Sequence, residues 1–132
     1  MLMLKFDAAG LFVTEMKKMV SFYQHVMGMT GNWDGGPYAE LFSGQMRLIF
    51  YSREDFEKMV SKTFVYPEKL NGTLELSFSL PHFEDVDKEY ERVIAAGAGS
   101  ILPPTDTLWQ QRTCYVSDPD GNLIEIGSFN EG

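Results

Sequence analysis

Hydrophobic and polar residues alternate from position 74 to 80: Leu74, Leu76, Phe78 and Leu80 share one face, and Glu75, Ser77 and Ser79 share the other. A period of two is that of a strand buried on one side. The period then lengthens. Phe83, Val86, Tyr90 and Val93 recur at helical spacing, with Gly97 as the stop. Sliding the chain by 67 residues finds the same change of period earlier. Val13 falls on Leu80, Met16 on Phe83, Met19 on Val86, Tyr23 on Tyr90 and Val26 on Val93, with Gly28 as the stop. Each half therefore starts with a strand and a helix. Three further strands are predicted in the first half, at 30–33, 38–42 and 46–51, and three in the second, at 100–102, 111–116 and 123–127. Turns rich in Gly, Pro and Asp separate them. Residues 53–62, with Phe56, Met59 and Val60 apolar, read as a short amphipathic helix leading to a linker at 66–72. Residues 103–107, which include Pro103 and Pro104, read as a loop before Trp109.

The order is βαβββ twice within a single α+β domain of 132 residues: module one at about 4–52, the linker helix and linker at about 53–72, and module two at about 73–128. The last strand is preceded by Asp118-Pro119-Asp120-Gly121-Asn122, a tight turn in which Pro fixes φ and Gly accepts a positive φ. In Leu123-Ile124-Glu125-Ile126 one carboxylate then stands opposite Ile124 and Ile126. This closing motif, the repeat, and the helix ending Phe22-Tyr23-Gln24-His25-Val26-Met27-Gly28-Met29 together resemble the vicinal oxygen chelate superfamily. That superfamily includes glyoxalase I, bleomycin resistance proteins and extradiol dioxygenases. The resemblance spans essentially the whole chain. It implies two modules forming a cup-shaped, curved mixed sheet with the helices outside, and a homodimer. The apolar Leu2, Leu4 and Phe6 at the first strand suit either a subunit contact or a buried strand.

Strand periodicity assigns Ala8, Gly10 and Phe12, Glu75, Ser77 and Ser79, and Leu123, Glu125 and Gly127 to the face that would line the cup. The resemblance implies that metal enzymes of the family carry ligands at three of these positions and at one on the strand 46–51. Here they hold Ala8, Ile49 (or Leu48 with a one-residue slip), Glu75 and Glu125. Two carboxylates remain, whereas a catalytic Zn, Ni or Fe site takes at least three protein ligands with histidine prominent. The two histidines, His25 and His82, read as helix-terminal or surface residues. No metal or other cofactor is therefore expected; a divalent ion at Glu75 and Glu125 belongs to the alternative reading. Three roles remain open for this pair: solvated or bonded to a neighbouring Ser, Tyr or Arg, binding a cationic group, or holding a hard metal weakly. If there is catalysis, Glu125 and Glu75 are the candidates for proton transfer.

Aromatic residues on or beside the same strands suit a small-molecule pocket. The expected ligand-binding set is Phe12, Trp33, Tyr51, Glu75, Ser77, Trp109, Arg112 and Glu125. Phe42 and Tyr115 read more simply as core. The favoured function is a small-molecule-binding protein with a degenerate metal site, taking an antibiotic or toxic metabolite. The alternative is a divergent metal-dependent lyase or isomerase resembling glyoxalase I. The net charge of −8 argues against nucleic acid as a partner. No apolar run approaches the roughly 20 residues of a membrane span. With no signal-like apolar segment at the start and a single cysteine, Cys114, a cytoplasmic setting is expected.

Overall fold

A computed structural model describes residues 3–129. The chain divides into two compact units, 1–65 and 66–132. Both are α+β.

The first unit runs β1 (Ala9–Val13), α1 (Met16–His25), β2 (Tyr38–Ser43), β3 (Met46–Ser52) and α2 (Arg53–Val60). Its mixed sheet has the order β1-β3-β2, with β1 parallel and β2 antiparallel to β3. The helical-period residues Met16, Met19, Val20, Phe22 and Tyr23 are buried on α1. They meet the buried strand face, Leu41, Leu48 and Phe50, with the Tyr23 and Phe50 rings 5.5 Å apart. Full burial of side chains of this size stabilises by about 1.5–3 kcal/mol each, which is why a short helix persists here.

The strand expected at 30–33 is reduced to one bridge, between Thr30 and Phe42. Gly31 takes φ +137°, and a Cβ there would stand 2.6 Å from the Glu40 carbonyl, so the chain turns off the sheet edge. This sheet therefore has three strands rather than four. Leu4 and Phe6 precede β1 and are exposed, so the first strand starts later than their apolar character suggested. Leu2 lies outside the described residues.

The second unit runs β4 (Asn71–Ser79), α3 (Phe83–Ala95), β5 (Gly99–Asp106), β6 (Arg112–Ser117) and β7 (Asn122–Ser128). The order is β4-β7-β6-β5, with β4 parallel to β7. Helices α1 and α3 begin at Met16 and Phe83, in phase with the repeat. Two boundaries differ from expectation. Asn71 and Gly72 belong to β4 rather than to a linker. Residues 103–106 continue β5 through Pro103 and Pro104 instead of looping. An edge strand tolerates proline because its outer N–H groups need no partner, and the register of β5 shifts between Leu102 and Thr105.

The turn before β7 is built by Asp118, which is buried. Its carboxylate accepts from the backbone N–H of Asp120 and Asn122 and from the Asn122 amide. Gly121, at φ +86°, lies so close to Lys69 that a Cβ would stand 2.4 Å from the Lys69 carbonyl. No helix among the described residues is long and apolar enough to cross a membrane.

Candidate functional site

In the second unit Ile124 and Ile126 of β7 are buried, as are Cys114 and Val116 of β6. Helix α3 packs on β6 and β7. Alternation therefore turns Leu123 and Glu125 to the opposite, open face. Glu125 lies on a central strand, opposite Ser77 of β4 on one side and Tyr115 of β6 on the other. Ser77 Oγ donates to Glu125 Oε1 at 2.9 Å, while Thr113 Oγ1 at 2.8 Å and Gln111 Nε2 at 3.2 Å donate to Oε2. Tyr115 OH donates to Glu75 Oε1 at 3.0 Å, and Glu75 lies near enough to Glu125 for the two carboxyl groups to shift each other's ionisation. The two carboxyl groups singled out from sequence thus converge.

Their environments push their proton affinities apart. Burial raises the Glu75 pKa; the Tyr115 hydrogen bond lowers it, but the neighbouring Glu125 charge raises it further, and the net shift is upward. Glu125 also suffers burial, which would raise it, yet hydrogen bonds from Thr113 and Ser77, together with Glu75 and Tyr115, carry the net shift downward. Tyr115 is driven well above an ordinary phenol, first by burial and then by the carboxyl groups beside it. Of the two, Glu125 therefore ionises first and Glu75 holds its proton to the higher pH.

The network extends outward. Trp109 Nε1 donates to Gln111 Oε1 at 2.8 Å. An indole N–H can only donate, so it orients the Gln111 amide with its nitrogen toward Glu125. Thr107 holds this turn by accepting from the Gln111 N–H and donating to the Gln111 carbonyl, and Gln110 takes φ +57°. Trp109 is 64% exposed at the tip.

Gln111, Thr113 and Tyr115 were not among the residues expected to bind. The signal was available: the period of two that places Cys114 and Val116 inward places these three on the open face. The same period places Arg112 on the other face, away from the Glu125 cluster. Arg112 pairs with Ser128 across the strand, on the α3 side, and its guanidinium grips Asp87 of α3 at 2.7 and 3.0 Å and Asp106 of β5 at 2.9 Å. It ties the helix to the sheet and does not join the Glu125 cluster.

In the first unit Gly10 lies opposite Ile49, as Ser77 lies opposite Glu125. Ile49 is thus the counterpart of Glu125, while Leu48 is buried on the α1 side. Ala8 sits just before β1. Arg47 pairs with Glu40 and with Asp7. Phe12 and Tyr51 both meet Phe56 of α2, at centroid distances of 4.2 and 5.8 Å. Trp33 lies on the loop between Thr30 and β2, its indole donating to the Gly36 carbonyl at 2.8 Å. His25 ends α1, and His82 caps α3, its N–H donating to Asp85. Cys114 is buried, and burial pushes its thiol up to about 11.

The donors at Glu125 fit a metal poorly. Among the described residues no three His, Cys, Asp or Glu side chains converge. Glu125 spends both oxygens on Ser77, Thr113 and Gln111, and no imidazole accompanies it.

Residues 5–126 match the model of the Glyoxalase/Bleomycin resistance protein/Dioxygenase superfamily. The uncharacterized protein YraH of Bacillus subtilis is 32% identical over 120 residues, covering 88% of this chain and 91% of that protein. The virulence protein STM3117 of Salmonella typhimurium is 27% identical over 131 residues, covering 95% and 84%. Among solved structures, a glyoxalase/bleomycin resistance protein/dioxygenase from Nocardioides superposes with a TM-score of 0.82 at 21% identity, over 100% of this chain and 88% of that one. A lactoylglutathione lyase from Agrobacterium tumefaciens gives 0.73 at 15% identity, over 94% and 92%. At such identities these two likenesses speak for the fold.

Proposed function

This chain belongs to the Glyoxalase/Bleomycin resistance protein/Dioxygenase superfamily, and from that premise we propose that it binds a small molecule without a metal, as a sequestering protein for an antibiotic or toxic metabolite. The observation that carries this reading is the saturation of Glu125. Of the four lone-pair positions on a carboxylate, Ser77, Thr113 and Gln111 engage three from within the sheet, and the Glu75 carboxyl stands beside them. A carboxylate poised to ligate a catalytic ion needs open positions; this one is used to organise a patch of hydroxyl, amide and carboxyl groups beside an exposed indole. Such a patch offers both donors and acceptors to a ligand, with Trp109 as an aromatic wall.

Calorimetry of the purified protein against a panel of aromatic and basic antibiotics, repeated with Glu125→Ala, tests the reading. Binding in at least one case, weakened by the substitution, is expected. Elemental analysis of protein purified without chelator bears on the competing metal-dependent lyase or isomerase. A stoichiometric transition metal, lost in Glu125→Ala, would overturn the proposal. A homodimer and a cytoplasmic setting complete the reading; sedimentation and cell fractionation check them.

A further inference from the structure

The first unit has two separate groups of aromatic side chains. Tyr23, Phe22 and Phe50 close the core between α1 and the sheet, and all are buried. The other group lies on the opposite face. Phe56 of α2 stacks on Phe12 at 4.2 Å and 30° and on Phe64 at 5.6 Å and 23°, and meets Tyr51 edge-on at 5.8 Å; Tyr38 meets Tyr51 in turn at 6.3 Å. Five rings touch in series, yet none is buried: Phe12, Phe64 and Tyr38 remain 42%, 44% and 45% exposed. This cluster is not sealed.

The fold does not require aromatic residues there. The repeat places Ser79 where β1 has Phe12. Ser79 pairs with Gly127 as Phe12 pairs with Tyr51, and Gly127 pairs with Thr113 as Tyr51 pairs with Tyr38. The second unit thus completes the same strands with Ser, Gly and Thr. In the first unit those positions form a wall for a flat ring, and Phe56 is the ring seated on it.

The element that delivers Phe56 is weakly anchored. Helix α2 has eight residues and none of them is buried. That length is too short for a helix to be stable alone. It is fastened to β1 by Arg53, which donates to the Phe12 carbonyl at 2.9 Å and to Thr14 Oγ1 at 3.1 Å. It ends at Ser61, a non-glycine residue at φ +56°, a conformation that costs about 1 kcal/mol or more.

We propose that the wall formed by Phe12, Tyr51 and Tyr38 is a binding site for a planar, uncharged aromatic group, and that Phe56 on α2 occupies it until a ligand displaces the helix. This names a ligand class for the open face that carries Phe12 and Tyr51, and a side chain that competes for it. It rests on the premise that the chain binds small molecules, but its test is read on α2 rather than on Glu125. A resident side chain lowers apparent affinity by the fraction of time the seat is open, so removing that side chain should tighten binding. Simple packing makes the opposite prediction, because deleting a contact ring then only loosens the structure.

The probe is 2-naphthol, followed by calorimetry and by amide hydrogen exchange of residues 53–60. In the unmodified protein, binding should speed exchange across α2. Phe56→Ala should bind about tenfold more tightly. Arg53→Ala, which keeps the ring but weakens its clasp, should bind several-fold more tightly. Phe12→Ser, the residue that the second unit carries at this place, should abolish binding. If Phe56→Ala fails to fold, Arg53→Ala decides. Equal or weaker binding by the folded variants, unchanged exchange in α2 with probe present, or undiminished binding by Phe12→Ser would each overturn the proposal. Failure of the Glu125→Ala calorimetry would sink the reading of the second unit without affecting these outcomes.

Discussion

Replacing Glu75 by Gln is expected to stabilise the protein at about pH 8 and to have little effect near pH 4. The amide keeps both local contacts: its oxygen accepts from Tyr115, as Glu75 Oε1 does, and its nitrogen donates toward Glu125. What disappears is the ability to ionise beside an existing anion. The sign follows from the direction of the shift. Glu75 is raised above its ordinary 4.5, so the folded chain retains a proton that the unfolded chain has released. The stability this confers is fully present below 4.5 and is lost as pH rises through the folded value. Glu125 is lowered, and its contribution is present above 4.5 and lost as pH falls. Two unit charges about 4 Å apart in a water-like dielectric repel by about 1 kcal/mol, and Glu75 is open to solvent, so relief is about 0.5–1 kcal/mol. With a urea slope of about 2 kcal/mol/M, the midpoint should rise by about 0.3–0.5 M at pH 8. Chemical denaturation of both proteins at the two pH values measures it. Destabilisation at pH 8, or the same difference at both, would refute the convergence of these carboxyl groups.

Three other substitutions probe the remaining arguments. Arg112→Ala removes a two-pronged grip on half-exposed Asp87 and a weaker pair to Asp106. A loss of about 1–2 kcal/mol in urea unfolding is expected, with ligand affinity unchanged, because the side chain lies on the α3 side. Gln111→Leu deletes the link between Trp109 and Glu125, and in a Trp33→Phe background the Trp109 emission should lose its dependence on Glu125→Gln. Gly121→Ala places a Cβ 2.4 Å from the Lys69 carbonyl at φ +86°, and a loss of about 2 kcal/mol or more in thermal unfolding should follow.

Much of the fold was legible because inward faces obey simple periods. Leu11 and Val13, Leu48 and Phe50, and Ile124 and Ile126 are buried in alternation, and α1 and α3 start in phase with the repeat. The strand at 30–33 was not legible, because its failure depends on Gly31 meeting the Glu40 carbonyl, a contact between residues distant in sequence. Pro103 and Pro104 read as a loop because proline excludes a central strand, and only the sheet order reveals that β5 is an edge. At the site, alternation turned Glu75, Ser77 and Glu125 to one face, and the family resemblance singled out the two carboxylates among them. Arg112 was singled out for its charge, whereas the period that turns Glu125 to the open face puts Arg112 behind the sheet.

The paired registers explain why residue type is the informative variable here. A repeated backbone presents equivalent positions in both units: Gly10 and Ser77, Phe12 and Ser79, Ile49 and Glu125, Tyr51 and Gly127. Facing the helices, the occupants agree in kind, since Leu48 and Phe50 correspond to Ile124 and Ile126, all buried and apolar. Any departure there would leave a cavity or an unpaired polar group. On the open faces no such penalty applies, and the occupants have diverged completely, to a hydrogen-bonded carboxylate cluster in one unit and a wall of aromatic rings in the other. Folding alone does not account for that contrast, so the open faces are where ligand recognition by this chain is to be sought.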